Sequence, residues 1–133
     1  MKQYKVLVVD DEPHVIRILR LALERAGYLV QTANDGNEAL GVMADFAPDV
    51  LISDIQMAGM DGRELCRTAR QRYPQRRFLI LVMTSMTAIE ERGWARELAD
   101  TEFLEKPLSP RQLVARLNAH FAALGAAPES TDA

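Results

Sequence analysis

The sequence contains a single cysteine, Cys66, so no internal disulfide can form, and a reducing, cytoplasmic compartment is the default expectation. No apolar run approaches the roughly 20 residues that a membrane helix needs. The opening MKQYKVLVVDD turns acidic at once, unlike a signal peptide. Positive charge is not in excess either: 16 Lys+Arg against 19 Asp+Glu give a net charge of −3, which argues against a domain that mainly coats nucleic acid. These absences favour one soluble intracellular domain of 133 residues.

Short aliphatic runs alternate along the chain with longer segments of helical period. The predicted strands are residues 5–9, 28–33, 49–54, 78–83 and 102–105. The predicted helices begin at Pro13 and near Pro110, and between them cover residues 38–46, 63–73 and 88–99. The first, third and fourth strands are apolar on both faces, which is typical of strands covered by helices on both sides. The alternation predicts an α/β fold of the (βα)5 type, a doubly wound sheet of five parallel strands.

The last predicted helix carries one apolar stripe, which we expect to face the core. Its members are Leu113, Val114, Leu117, Phe121 and Leu124. From Gly125 the chain becomes GAAPESTDA, which is small, polar and without period. We therefore expect the domain to occupy residues 1–124, with residues 125–133 a disordered tail or the start of a linker.

Polar residues follow four of the five predicted strands. They are Asp10, Asp11 and Glu12 after the first strand, Asp54 at the end of the third, Thr84 and Ser85 after the fourth, and Lys106 and Pro107 after the fifth. Ligands of open parallel sheets bind at the carboxyl ends of the strands, so these residues are expected on one edge.

A cluster of carboxylates at this edge requires compensation. Each like-charged pair at about 4 Å costs on the order of 4 kcal/mol at an effective dielectric constant near 20. Either protons or a cation must therefore bind. Mg²⁺ prefers oxygen ligands and keeps coordination positions open for phosphate, and the ammonium of Lys106 would suit a phosphoryl group.

The segments VLVVDDEP, LISDIQMAGMDG, LVMTS and FLEKPL resemble, in order and spacing, the receiver domains of two-component response regulators. The resemblance covers residues 4–124 and implies the flavodoxin-like strand order 2-1-3-4-5. It also implies a function. A sensor histidine kinase or phosphotransfer protein passes a phosphoryl group to an aspartate, and the surface formed by predicted helix 88–99, the fifth strand and the last helix then signals to an output domain or partner protein.

The resemblance assigns roles to individual residues. Asp54 is the expected phosphoacceptor. The expected ligands of Mg²⁺, with Mn²⁺ as a substitute, are Asp10, Asp11, Asp54 and the main-chain carbonyl of Gln56. The residues expected to bind the phosphoryl group or to switch with it are Thr84, Ser85, Lys106 and Phe103. The Lys106–Pro107 bond is a candidate cis peptide.

Some positions depart from the family pattern. Ala58 stands where a proline is usual, so the loop after Asp54 is expected to be less rigid. Ser85 stands where the family mostly has alanine or glycine. Gln56 and Met86 occupy positions that tune how long the phosphoryl group survives, and since neither is acidic we predict a moderately long-lived phosphoaspartate.

Two other functions share parts of this pattern. A phosphatase of the haloacid dehalogenase type needs a second aspartate two residues after its nucleophile, where this chain has Gln56. A receiver-like scaffold that only binds proteins would have no need of the acidic and basic site residues. We expect no enzyme activity beyond the domain's own phosphorylation and dephosphorylation.

Partners are only partly constrained by the sequence. The arginine-rich segment RTARQRYPQRR lacks interleaved aromatic residues, so a solvated helix face is favoured over direct nucleic-acid binding. The sequence names neither the kinase nor the output, and it leaves open whether activation produces a homodimer.

Overall fold

The computed structural model describes residues 3–84, 100–106 and 108–126. Four sequence-based expectations fall outside these residues: the helix predicted at 88–99, the roles of Ser85 and Met86, the Lys106–Pro107 peptide bond, and the chain after residue 126.

Five parallel strands form one sheet in the order β2-β1-β3-β4-β5, as the resemblance implied. They are β1 (Lys5–Val9), β2 (Leu29–Ala33), β3 (Val50–Asp54), β4 (Leu79–Thr84) and β5 (Thr101–Glu105). Each lies within one residue of its predicted bounds. The apolar runs of β1, β3 and β4 are those that buried parallel strands require, whereas β2 and β5 are partly polar and form the two outer strands.

The described helices are α1 (Pro13–Arg25), α2 (Gly36–Phe46), α3 (Gly62–Arg72) and α4 (Pro110–Ala126). Helix α2 begins two residues before its predicted start, because the Asp35 side chain caps it by accepting a hydrogen bond from the amide of Glu38 at 2.8 Å. Asp61 caps α3 in the same way, with the amide of Glu64 at 2.9 Å. None of the helices in the described part of the chain has the length and apolar content that a membrane span requires.

Side chains alternate between two cores, one on each face of the sheet. Leu7 of β1 and Leu51 of β3 pack beneath α2 and α3. Val8 and Ile52, each one residue further along, pack beneath α1 and α4. Among the described residues, the buried polar side chains all lie at or next to the carboxyl ends of strands, and they are Asp10, Ser53, Asp54 and Thr84.

Helix α4 confirms most of the predicted stripe, since Leu113, Leu117 and Phe121 are buried. The prediction for Leu124 was wrong: its side chain is 48% exposed. The Phe121 ring already stacks on Tyr4, just before β1, with the ring centroids 3.8 Å apart. The part of α4 that the sheet covers therefore ends about one turn before Leu124, although the helix itself continues to Ala126.

Candidate functional site

The carboxyl edge of the sheet brings together four residues that the sequence predicted there. Asp10, Asp54 and Thr84 are 0%, 4% and 0% exposed. The amide of Asp10 donates to the carbonyl of Ala33 at 3.2 Å, which fixes it beside the end of β2. The amide of Lys106 donates to the carbonyl of Thr84 at 2.9 Å, which fixes the lysine beside the end of β4.

The Lys106 ammonium lies among three carboxylates. Its Nζ is 3.2 Å from Oδ1 of Asp54, 3.6 Å from Oδ2 of Asp10 and 3.9 Å from Oε1 of Glu12. The lysine side chain is 22% exposed, so this charge is held at the rim of a largely buried site. It offsets part of the repulsion between Asp10 and Asp54.

Among the described residues, one acidic group has the spacing of a metal site. Carboxylate oxygens of Asp10, Asp11 and Glu12 all lie within 4.8 Å of one another. Glu12 was not assigned a role from the sequence, although the consecutive Asp-Asp-Glu letters were the available signal. Asp54 lies outside this group and is connected to it through Lys106.

The ionisation of the site reflects burial and crowding. Burial raises the pKa of Asp10 above its ordinary value of 3.8, against the lowering effect of the Glu12 amide and Lys106. Burial, and then repulsion by Asp10, raises the pKa of Asp54. Burial alone would lower the pKa of Lys106, but attraction to Asp10, Asp54 and Glu12 together raises it. Ionisation of Asp10 and Asp54 in the folded protein therefore costs free energy, and a bound cation would reduce that cost.

One buried oxygen fits a cation directly. Oδ1 of Asp10 accepts a hydrogen bond from the amide of Glu12 at 2.9 Å. Its other oxygen, Oδ2, is buried and accepts no hydrogen bond from the part of the chain that the structure describes. An all-oxygen donor set with such an atom fits Mg²⁺, and by the same chemistry Mn²⁺.

The loop after β3 holds the Asp54 carboxylate from the other side. The amide of Gln56 donates to Oδ1 of Asp54 at 3.3 Å, so the main chain of Gln56 lies beside this carboxylate. Ala58 is exposed in this loop, and the next residue, Gly59, has a φ of 74°, a left-handed conformation that glycine adopts without strain.

Phe103 lies on β5 opposite Val82 of β4. Its ring is partly buried against the core beneath α2 and α3. It therefore lies on the strand that ends just before Lys106, three residues before the lysine.

Comparison with known proteins agrees with this geometry. A family model described as the response regulator receiver domain matches residues 6–118. The chain is 38% identical over 115 residues to the alkaline phosphatase synthesis transcriptional regulatory protein PhoP of Bacillus subtilis, an alignment that takes in 86% of this chain and 47% of that protein. The chain thus spans about half the length of that regulator.

Solved structures show the same fold over nearly the full chain. The chemotaxis protein CheY4 of Vibrio cholerae superposes with a TM-score of 0.82 at 34% identity, covering 89% of this chain and 98% of that one. A response regulator receiver domain protein of Clostridium thermocellum gives a TM-score of 0.78 at 25% identity, covering 87% and 92%. With its parallel sheet, its strand-end acids and this sequence match, the chain belongs to the response regulator receiver domain family of two-component systems.

Proposed function

We propose that this domain accepts a phosphoryl group on Asp54 from a sensor histidine kinase or a phosphotransfer protein. The observation that carries the proposal is the position of Lys106, whose ammonium lies 3.2 Å from the Asp54 carboxylate and 3.6 Å from Asp10. A buried carboxylate with a cation beside it is arranged for charge neutralisation in an in-line displacement. An attacking Asp54 oxygen forms the new bond to phosphorus as the bond to the donor histidine breaks.

Mg²⁺, or Mn²⁺ in its place, is the proposed cofactor. Asp10, Asp11, Asp54 and the main-chain carbonyl of Gln56 are the proposed protein ligands. The raised pKa values of Asp10 and Asp54 support the choice of those two, because a cation would offset the cost of their buried charge. Glu12 adds a third carboxylate to the Asp10–Asp11 group. When bound, the ion neutralises charge gathering on the transferred phosphoryl oxygens.

The proposed switch uses residues on neighbouring strands. Lys106 pairs with one phosphoryl oxygen, and Thr84 donates its hydroxyl to another, with Ser85 next to it in sequence. Movement of Thr84 makes room for Phe103 to turn inward, and the surface that includes β5 and α4 changes shape. This surface passes the signal to an output domain or partner protein.

The domain is proposed to catalyse only its own phosphorylation and dephosphorylation. Gln56 supports this, because its amide cannot exchange a proton as the second aspartate of a haloacid dehalogenase-type phosphatase does.

Incubation with Mg²⁺ and acetyl phosphate, followed by intact-mass measurement, tests the proposal. We expect one phosphoryl group that hydroxylamine removes on the wild type and none on Asp54→Asn. The exposed α2 variant Asp45→Asn is the matched control and should be labelled like the wild type. Steady hydrolysis of a phosphate monoester such as p-nitrophenyl phosphate would instead indicate a phosphatase. The absence of both would indicate a protein-binding scaffold.

A further inference from the structure

Gly62, the first residue of α3, lies directly against the main chain of Asp54. A Cβ atom added at Gly62 would stand 2.3 Å from the Asp54 carbonyl oxygen and 2.7 Å from Cα of Ile55. These distances are about 1 Å shorter than an ordinary contact, and the atoms opposed are backbone. Only glycine allows α3 to begin at this distance from β3.

The same carbonyl is contacted by a hydroxyl. The buried Ser53 donates its Oγ proton to the Asp54 carbonyl oxygen at 2.9 Å. The amide of Gly62 donates to the carbonyl of Ile55, also at 2.9 Å, and this closes the loop between β3 and α3. The Asp54 carbonyl is therefore held by Ser53 and packed against Gly62, an arrangement that we call the carbonyl clamp.

The carbonyl clamp holds the main chain of Asp54, and the reacting carboxylate belongs to the same residue. The Asp54 side chain has two bonds between its Cα and its carboxyl carbon, so a shift of its main chain displaces the carboxylate by a similar amount. The carboxylate makes a contact of 3.2 Å to Lys106 and one of 3.3 Å to the Gln56 amide, and neither tolerates such a displacement.

We propose that Gly62 and Ser53 are positioning residues that fix the Asp54 carboxylate for phosphoryl transfer through its main-chain carbonyl. The proposal rests on the proposed function of Asp54. Gly62 is not among the glycines with a positive φ, so its close contact with Asp54, and not an unusual backbone conformation, accounts for a glycine at this position.

Two other glycines provide matched controls. A Cβ at Gly36 would stand 2.7 Å from Sδ, 2.8 Å from Cγ and 2.9 Å from Cβ of Met60, so it meets a side chain and not the main chain of Asp54. A Cβ at Gly41, on the exposed side of α2, would meet nothing within 4 Å. The three Gly→Ala variants thus add the same methyl group against the Asp54 backbone, against a side chain of the following loop and into open space.

The test measures the rate constant of Asp54 phosphorylation by acetyl phosphate at saturating Mg²⁺. We expect Gly62→Ala to lower this rate constant by about tenfold to a hundredfold, since misplacement of a reacting group by about 1 Å has effects of that size. Gly36→Ala should change it by less than about threefold, and Gly41→Ala should leave it at the wild-type value. Ser53→Ala, which removes a donor without adding bulk, should give an intermediate loss.

A second readout is the ¹³C chemical shift of the Asp54 carboxyl carbon, measured without any phosphodonor. It should move in Gly62→Ala and Ser53→Ala and stay in place in the two controls. Leu23→Ala, in the core beneath α1, gives the effect of general destabilisation and should also leave it in place.

The outcomes separate the two proposals. If the wild type is not phosphorylated, the proposed function is overturned. The ¹³C chemical shift of the Asp54 carboxyl carbon then tests the carbonyl clamp by itself. If Gly62→Ala does not fold, Ser53→Ala decides. Wild-type rate constants and unmoved shifts in the folded clamp variants would overturn the clamp, as would equal changes in Leu23→Ala.

Discussion

Lys106 approaches Asp54 more closely than it approaches either other carboxylate: Nζ is 3.2 Å from Oδ1 of Asp54, against 3.6 Å for Asp10 and 3.9 Å for Glu12. Asp54 is almost fully buried, so this lysine is the cationic group that makes its charge tolerable in the metal-free protein. Removing one partner of a buried pair leaves the other uncompensated.

Lys106→Ala is therefore expected to raise the pKa of Asp54 further, because Lys106 lowers that pKa in the wild type. The variant should still carry its phosphoacceptor, but phosphorylation should no longer change the surface around β5 and α4. A ¹³C-detected pH titration measures the pKa, and amide chemical shifts with and without acetyl phosphate measure the surface change. Lys5→Ala, at the opposite end of the sheet, is the control. A normal surface change in Lys106→Ala would contradict the proposed switch.

Asp54→Asn is expected to stabilise the metal-free protein at neutral pH. The pKa of Asp54 is raised by burial and by Asp10, so between its ordinary 3.8 and its folded value the folded state binds more protons than the unfolded state. The free energy of unfolding contributed by Asp54 therefore falls as pH rises through this window. Asp54→Asn does not lose this part of the free energy of unfolding. The difference in stability between the variant and the wild type should therefore become smaller as pH falls toward 3.8.

Urea unfolding between pH 4 and pH 7 without divalent ions measures this difference. Asp45→Asn, an exposed position, gives the background effect of removing one negative charge. An advantage of Asp54→Asn that was independent of pH would show that ionisation of Asp54 has no part in it.

Cys66 is expected to be inert to thiol reagents in the folded protein. Burial raises the pKa of its thiol from 9.0 to about 12, which lowers the thiolate fraction near pH 8 roughly a thousandfold. Reaction with a disulfide reagent should therefore follow the rate of unfolding and accelerate in urea. Rapid labelling of fully folded protein would show that Cys66 is accessible.

Ala47→Gly is expected to raise the free energy of unfolding by about 0.5–1 kcal/mol, because a Cβ is unfavourable in a left-handed conformation. Ala47 caps the end of α2 with a φ of 49°. Its matched control, Ala44→Gly, lies exposed within the same helix and should lower the free energy of unfolding by about 0.5–1 kcal/mol. Urea unfolding of the two variants should give opposite signs. The same sign for both would contradict the account of the α2 terminus.

The fold could be predicted largely because β1, β3 and β4 are continuous apolar runs and Pro13 and Pro110 mark helix starts. The sequence did not show where along a helix the sheet stops covering its apolar face. Leu124 continues the apolar period of α4, yet nothing in that period records that the sheet ends near Tyr4. Helix α2 was predicted two residues short, because Asn-Asp-Gly is read equally well as a turn and as a capped first turn.

The convergence of Asp10, Asp54, Thr84 and Lys106 followed from strand ends alone. Distances within the site did not, since spacing along a chain does not show that Lys106 stands between Asp54 and the Asp10–Asp11–Glu12 group. The proposed role of Gly62 could not be predicted from the sequence for a related reason. Its role depends on a contact with a carbonyl eight residues earlier, whereas its letter suggests only a turn.

The Tyr4–Phe121 stack has a mechanical consequence for α4. This stack and the 2.6 Å hydrogen bond from Tyr28 to Asn118 anchor the helix at the end of the sheet remote from Lys106. If α4 tilted against the sheet, it would pivot about these two contacts. A displacement of α4 that kept these contacts would be larger toward Pro110, the first residue of the helix and four positions after Lys106, and it would have to repack the buried Leu113.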